Sequence, residues 1–355
     1  MHIIFDVLHL YYLPQYLPVY HQLIKDKAGT ASFVFYRSAY DDMISDLIST
    51  LNLSSIWVEN TAQASKFYLE KKADWVFFAN SFPYLNDIHQ VSKSVQLGHG
   101  IGPKTSYYSK SDSPTTVRFV EGEYRTNRLR SMYPKDNFVN VGFCKLDDLI
   151  NNNAAAFNLQ LLGLDENKKT LLYAPTFYPS SIERFPKNWP EKYSQYNILL
   201  KPHYFSLSKP KYKKQQDLLN HWASYSHVYL AKIEDYSLVP FMATADLLIS
   251  DASSALFEFA AINKPVIWCD FLKLRWSYRG ILSYRFKKRM DLDYGEYADI
   301  AVHAKTYQQL ASLIEQQIKQ PNMLEKTRLG LANKLAGELD GKASERIINY
   351  LVEKN

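Results

Sequence analysis

Cysteine is nearly absent from this chain of 355 residues, which carries only Cys144 and Cys269. Two thiols cannot build a disulfide framework or a four-thiolate zinc site, and they point to a reducing compartment. Glycine is scarce as well, at 12 residues, which excludes a collagenous or glycine-loop-dominated chain. No apolar run reaches the roughly 18 residues needed to span a bilayer. The opening MHIIFDVLHLYYLPQYLPVY lacks the basic start, apolar run and small-residue cleavage site of a secretory signal. The expected location is therefore cytoplasmic, with room for peripheral contact with the inner face of the cytoplasmic membrane. A dominant charge sign is also lacking. Lys+Arg 42 against Asp+Glu 36 leave a net +6, too mild to mark a nucleic-acid binder but suited to nucleotides, phosphates or an anionic membrane surface. No phosphate-binding P-loop and no G-x-S-x-G nucleophile turn occurs, and no His/Cys cluster has zinc spacing, so no metal site of that kind is expected.

What the chain does hold is apolar and aromatic. Hydrophobic residues make up 46%, with Tyr 27, Phe 19 and Trp 6, enough for a sizeable core and against intrinsic disorder. The length suggests two domains. In the first half, strands are expected at His2–Val7, Ser32–Tyr36, Ile56–Val58 and Trp75–Ala79. Helices are expected at Val19–Lys25 after Pro18, at Asp41–Leu51 and at Ala62–Lys71. A second run follows the polar Asn151–Asn153, with strands at Thr170–Tyr173, Tyr196–Leu200, Val228–Ala231, Leu247–Ser250 and Val266–Trp268. Helices are expected there at Gln215–Ser224, Ser253–Ala261 and Tyr307–Lys319, and a last one at Ser344–Glu353 with Ser344 as its cap. Such alternation indicates parallel sheets covered by helices. The expected division is 1–150, 151–335 and a C-terminal helix, 336–355, packing back on the first domain.

Ligands of such sheets sit beyond the carboxyl ends of the strands, so polar residues that follow apolar runs are the candidates. Gln96–Lys104 (QLGHGIGPK) places His99 between glycines, where an imidazole suits proton transfer near neutrality; a plain turn explains the tripeptide equally well. In Leu171–Phe177 a strand ends in Pro175-Thr176, where the Thr176 hydroxyl could meet a phosphate or ribose, or only its own backbone. Lys201-Pro202-His203 ends another strand in a cation, a rigid ring and an imidazole, a pattern suited to an anion. In Ala245–Ala260 a buried strand runs into Ser250-Asp251-Ala252-Ser253-Ser254 and then a helix. Ser253 or Ser254 can cap that helix, and its free N–H groups can hold an anion. Lys273–Arg289 carries seven cations, among them Arg279, and no acid. Such a stretch could follow a nucleic-acid backbone, lie on an anionic membrane, close over a diphosphate or simply be solvated. Asp291 and Asp293 form a carboxylate pair of a common kind that is given no role.

Taken in order, these segments resemble the CDP-glycerol glycerophosphotransferase family, which builds teichoic acids and related phosphate-linked surface polymers. The family's H-G-T-P-x-K is similar to His99–Lys104, and its G-x-P-R-x-D-x-L to Gly142–Leu149. Its Y-A-P-T matches Tyr173–Thr176, and its K-P-H matches Lys201–His203. The serine segment with its following K-P matches Ala245–Phe259 and Lys264-Pro265, and an R-G pair matches Arg279-Gly280. The likeness spans about residues 90–290. It departs at Leu97-Gly98, Ile101, Cys144, Lys145 and Tyr204.

The resemblance implies an α/β protein of GT-B type, two Rossmann-like parallel-sheet domains facing a cleft. It implies transfer of glycerol phosphate, or a similar polyol phosphate, from a CDP-linked donor to an acceptor hydroxyl on a surface polymer or lipid-linked glycan, with release of CMP. On that reading His99 and His203 are the catalytic pair, His99 as the general base and His203 serving the diphosphate. Thr176, Lys201, Asp251, Ser253, Ser254 and Arg279 serve the donor, with Asp251 orienting the serine turn. Gly100 and Lys104 serve the acceptor. No cofactor is implied besides the CDP-polyol substrate. Two rivals remain at this point. One is a GT-B glycosyltransferase using a nucleotide sugar in capsule or lipopolysaccharide synthesis; the other is a non-catalytic protein binding RNA or a membrane through Lys273–Arg289. Glycerol versus ribitol, primase versus polymerase and oligomeric state are left open by the sequence.

Overall fold

A computed structural model describes residues 1–102, 105–108, 114–251, 253–274, 278, 280–283 and 292–355. The chain divides into two compact units. One comprises Met1–Ile101, Tyr108–Asn151 and Lys334–Asn355; the other comprises Gly102–Tyr107 and Asn152–Asn333.

The first unit is built on seven strands: β1 His2–Val7, β2 Thr30–Tyr36, β3 Ser55–Val58, β4 Trp75–Phe78, β5 Lys93–Leu97, β6 Val117–Val120 and β7 Phe138–Asn140. Their order is β3-β2-β1-β4-β5-β6-β7 and every pairing is parallel. The second unit has six: β8 Thr170–Tyr173, β9 Asn197–Leu200, β10 Val228–Leu230, β11 Leu247–Ser250, β12 Val266–Cys269 and β13 Val302–Ala304. These run β10-β9-β8-β11-β12-β13, again all parallel. Both sheets thus have the doubly wound order in which chain direction along the sheet reverses beside the first strand. Each has one such reversal, between β1 and β4 and between β8 and β11, and ligands of these folds bind at the carboxyl ends there.

The inner strands β4, β8, β9, β11 and β12 are buried at every residue. Apart from Thr170, Asn197 and Ser250 at strand ends, their residues are apolar, because a parallel strand with helices on both faces has no wet side. The edge strands β3, β10 and β13 are only partly covered. Four strands, β5, β6, β7 and β13, were not expected from sequence. Lys93 and Gln96 in β5 and Arg118 in β6 interrupt the apolar run, and β7 and β13 have three residues each.

Several helix boundaries also differ, among them Lys213–Trp222 for Gln215–Ser224 and Leu310–Lys319 for Tyr307–Lys319, and two bear on packing and capping. The first helix is Leu13–Lys25, not Val19–Lys25. Pro14 lies in its first turn, where no N–H is needed, and Pro18 sits inside the helix. An interior proline costs about 3 kcal/mol, opposed here by burial of Leu13, Tyr16, Val19 and Leu23. The last helix is Ala343–Glu353, so Ser344 lies within its first turn and does not cap it. The cap comes from elsewhere in the fold. Asp147 accepts the Ala343 N–H at 3.2 Å and the Ser344 N–H at 2.7 Å, one on each carboxylate oxygen. That helix packs on Leu13–Lys25 within the first unit.

Candidate active site

In the second unit the reversal lies between the exits of β8 and β11. Asp251, the residue after β11, is wholly buried. One of its carboxylate oxygens accepts the Thr176 N–H at 2.7 Å; the other accepts the Ser181 N–H and the Ser181 hydroxyl, each at 2.8 Å. Asp251 is therefore a brace between strand exits that lie far apart in sequence. The Asp251 carbonyl takes the Ser253 N–H at 2.6 Å, which folds the chain tightly into the following helix, Ser254–Ala261. Ser253 has extended backbone angles, and its Oγ accepts the Ala255 N–H at 3.3 Å. It is the cap, and Ser254 is the first helical residue. The helix is buried from Ala255 to Ala261, so its start is held rigidly at the end of the sheet. Its N-terminal dipole favours negative charge there.

The β9 exit joins the same end. The Lys201 N–H donates to the Tyr173 carbonyl at 2.9 Å, and the His203 N–H to the Pro175 carbonyl at 3.2 Å. The Lys201 ammonium lies 5.7 Å from the centre of the Phe241 ring. The His203 ring packs 4.6 Å from Phe177 and 5.0 Å from Phe205. Its Nδ1 accepts the Phe205 N–H at 3.1 Å. A nitrogen that accepts carries no proton, so the neutral ring keeps its proton on Nε2 as a donor. Thr176, Lys201, His203, Asp251, Ser253 and Ser254 are thus gathered at one end of one sheet. Arg279, Ala252 and most of Lys273–Arg289 lie outside the described residues. Lys264, of the Lys264-Pro265 match, is architectural: its ammonium donates to the carbonyls of Met242, Ala243 and Ala245 at 2.8, 2.9 and 2.8 Å, closing the end of the helix Val239–Thr244.

In the first unit His99 follows β5 by two residues and is half-buried. Its ring lies 5.4 Å from Tyr11 and 5.3 Å from Tyr12, both just beyond the end of β1. His9 completes the group, stacked on Tyr11 at 5.2 Å and edge-on to Tyr12 at 5.5 Å. The Tyr12 hydroxyl accepts from the Asn80 amide, just past β4. Burial pushes the Tyr11 and Tyr12 phenols up, so both are neutral hydroxyls at ordinary pH. The Gly100 carbonyl is 3.4 Å from the Arg125 guanidinium, which also pairs with Glu121, both buried. Lys104 lies outside the described residues. Gly102, in the second unit, has φ +109 and a side chain there would meet the Phe257 ring at 2.5 Å, so only glycine fits.

His9, Tyr11, Tyr12, Asn80 and Arg125 were not singled out from sequence. The rule of looking past the end of an apolar run reaches the first three directly, because HIIFDV is followed by Leu8-His9-Leu10-Tyr11-Tyr12. Nothing local marks Asn80 or Arg125. Among the described residues no group of three or more His, Cys, Asp or Glu could hold a metal ion. No described helix is long and apolar enough to cross a membrane. Both cysteines are buried, and burial pushes their thiols well up.

The family model described as CDP-glycerol:poly(glycerophosphate) glycerophosphotransferase matches residues 18–353. The chain belongs to this family. Among curated relatives, it is 26% identical over 308 residues to the teichoic acid poly(ribitol-phosphate) polymerase of Bacillus spizizenii, covering 78% of this chain and 46% of that protein. It is 32% identical over 120 residues to the teichoic acid glycerol-phosphate primase of Bacillus subtilis, covering 33% of this chain and 30% of that protein. The chain thus spans half or less of the length of these two relatives. Its fold is that of the wall teichoic acid polymerase TagF, with TM-score 0.68 at 18% identity over 99% of this chain and 88% of the other. A TagF variant has also been solved with CDPG, at TM-score 0.68 and 15% identity over the same shares. This likeness and the two all-parallel sheets agree with the α/β fold of GT-B type that the family resemblance implied.

Proposed function

We propose that this family member transfers glycerol phosphate, or a similar polyol phosphate, from a CDP-linked donor to a hydroxyl of a surface-polymer or lipid-linked acceptor and releases CMP. The observation that carries the reading is the family match over residues 18–353, joined to an anion-suited strand end in the second unit. The CDPG in the TagF variant supports a CDP-linked donor.

The acceptor oxygen attacks the phosphorus that bears the polyol; the bond from that phosphorus to the bridging oxygen breaks, and CMP leaves. The attacking oxygen must lose a proton, and His99 takes it. Phosphoryl transfer otherwise depends on positioning and charge neutralisation. The start of the helix Ser254–Ala261 and the Ser253 and Ser254 hydroxyls receive the diphosphate, with the Lys201 and Arg279 cations. His203, whose Nδ1 accepts the Phe205 N–H, donates from Nε2 to a phosphate oxygen. Thr176 contacts the donor, and Asp251 holds Thr176 and the serine turn in place. Gly100 and Lys104 serve the acceptor.

A screen of CDP-glycerol, CDP-ribitol, UDP-sugars and GDP-sugars, following the nucleotide released and the product mass, tests the reading. CMP released from a CDP-polyol is expected. UDP or GDP release would replace this reading with sugar transfer. His99→Ala should abolish transfer and leave CDP-glycerol affinity within about twofold; near-normal turnover would remove His99 as the base.

A further inference from the structure

Ser181 matches no family motif quoted above, yet it sits at the centre of the donor end of the second sheet. It is wholly buried, as is Tyr173. Its hydroxyl donates to Asp251 at 2.8 Å. The Tyr173 hydroxyl lies 2.8 Å from the same oxygen. A serine hydroxyl has one proton to give, and it goes to the carboxylate, so Tyr173 is the donor in that second contact. The result is one directed chain: Tyr173 O–H to Ser181 Oγ, Ser181 O–H to Asp251, and Thr176 N–H to the opposite oxygen of Asp251. The neighbouring Ser180 extends the tie to a third strand exit. Its carbonyl accepts the Lys273 N–H at 2.9 Å in an antiparallel bridge just beyond β12. The Tyr178 ring stacks on Tyr278 at 5.8 Å. The segment from Tyr178 to Ser181 therefore touches the exits of β8, β11 and β12, and leads to the residue before Arg279.

We propose that Ser181 is a positioning residue for the nucleotide-diphosphate donor: acting through Asp251, it sets the spacing between Thr176 and the Ser253-capped helix start. It touches no substrate. It keeps the Asp251 carboxylate in the rotamer that holds two strand exits at a fixed separation, and buried networks of this kind have one geometry only when every member is satisfied. The role is specific to the β8–β11 reversal, where the fold places its ligands. This inference rests on the donor site assigned above.

The test uses the full chain with Ser181→Ala, and Tyr173→Phe as a second variant that removes only the outer hydroxyl. Wild-type affinity for CDP-glycerol, CDP-ribitol and UDP is measured first by titration calorimetry, and the tightest of the three becomes the probe. A wild type that prefers UDP overturns the CDP-polyol reading but leaves this inference open to the same comparison. Ser181→Ala is expected to weaken probe affinity about tenfold, the loss of roughly one positioned hydrogen bond. With a turned-over donor, KM rises by a similar factor while kcat stays within about twofold. A purely structural role would lower the folded fraction, and so the apparent kcat, with affinity unchanged. Affinity within about twofold of wild type in folded Ser181→Ala overturns the proposal. If that variant does not fold, Tyr173→Phe decides, with a threefold or greater weakening supporting the proposal and no change overturning it.

Discussion

Replacing Asp251 by asparagine perturbs the second unit at one atom and tests the brace directly. Both carboxylate oxygens are occupied, one by the Thr176 N–H at 2.7 Å and the other by the Ser181 N–H and hydroxyl at 2.8 Å each. These partners are all donors. An amide has one acceptor oxygen, so whichever way it turns, its NH2 faces a backbone N–H. With the oxygen kept toward Ser181, the Thr176 N–H is orphaned in a site closed to water. A lost charge-assisted bond and a buried unsatisfied donor each cost roughly 1–3 kcal/mol. Removing a buried charge offsets part of that, leaving about 2–4 kcal/mol. For a unit of this size each kcal/mol moves the midpoint by about 2–4 °C, so the expected fall is roughly 5–15 °C. Differential scanning calorimetry of the full chain reads it, as a downward shift confined to one of two transitions if the units melt separately. Donor affinity should fall in parallel, because Thr176 and Ser253 are no longer tied. An unchanged midpoint, or a fall under about 2 °C, would refute the claim that this carboxylate is saturated by donors.

Three further outcomes are expected. Ser253→Ala removes the cap of the helix Ser254–Ala261 and should cost about 1 kcal/mol, while weakening CDP-glycerol binding in a titration; full affinity would show that the helix start does not receive the diphosphate. Asp147→Ala strips the acceptor from the Ala343 and Ser344 N–H groups and should cost about 1–2 kcal/mol, with protease cutting first near the C-terminus. Undiminished resistance there would mean the helix Ala343–Glu353 does not depend on Asp147. Asp6 is buried in β1, with hydrogen bonds from Tyr36 and Tyr68 at 2.6 Å each, and burial raises its carboxyl from 3.8 to about 6. The folded state therefore holds this proton more tightly than the unfolded chain. The resulting stability is full below pH 3.8 and is lost as pH rises through about 6, a difference of up to about 3 kcal/mol. Relative to Asp6→Asn, the wild type should lose stability to urea between pH 4 and 7; a constant difference across that range would contradict the assignment.

Much of the second unit was legible because its evidence is local. A strand buried on both faces is mostly apolar, and the first polar residues after it lie at the sheet's ligand-binding end. Leu171–Tyr173 followed by Thr176, Ile198–Leu200 by Lys201 and His203, and Leu247–Ser250 by Asp251 and Ser253 follow that rule. The edge strand Val302–Ala304 escaped it, since an edge strand with a wet side needs no apolar run. The first unit was harder to read. Lys93 and Gln96 conceal β5, although His99 lies just beyond it, and the aromatic group beside His99 comes from residues almost ninety positions earlier.

Where the chain is buried, where it turns polar, and that Ser253 or Ser254 opens a helix could all be read from the residues alone, because burial periodicity and capping are local to a few positions. Only the tertiary structure decided which strand exits adjoin. The β8–β11 pairing brings Thr176 beside Asp251, the β1–β4–β5 order brings Tyr11 and Tyr12 to His99, and Asp147, not Ser344, caps the last helix. Parallel strands carry no mark of their neighbours: hydrophobic pattern sets which faces are buried, while strand order follows from how distant helices pack over the whole sheet.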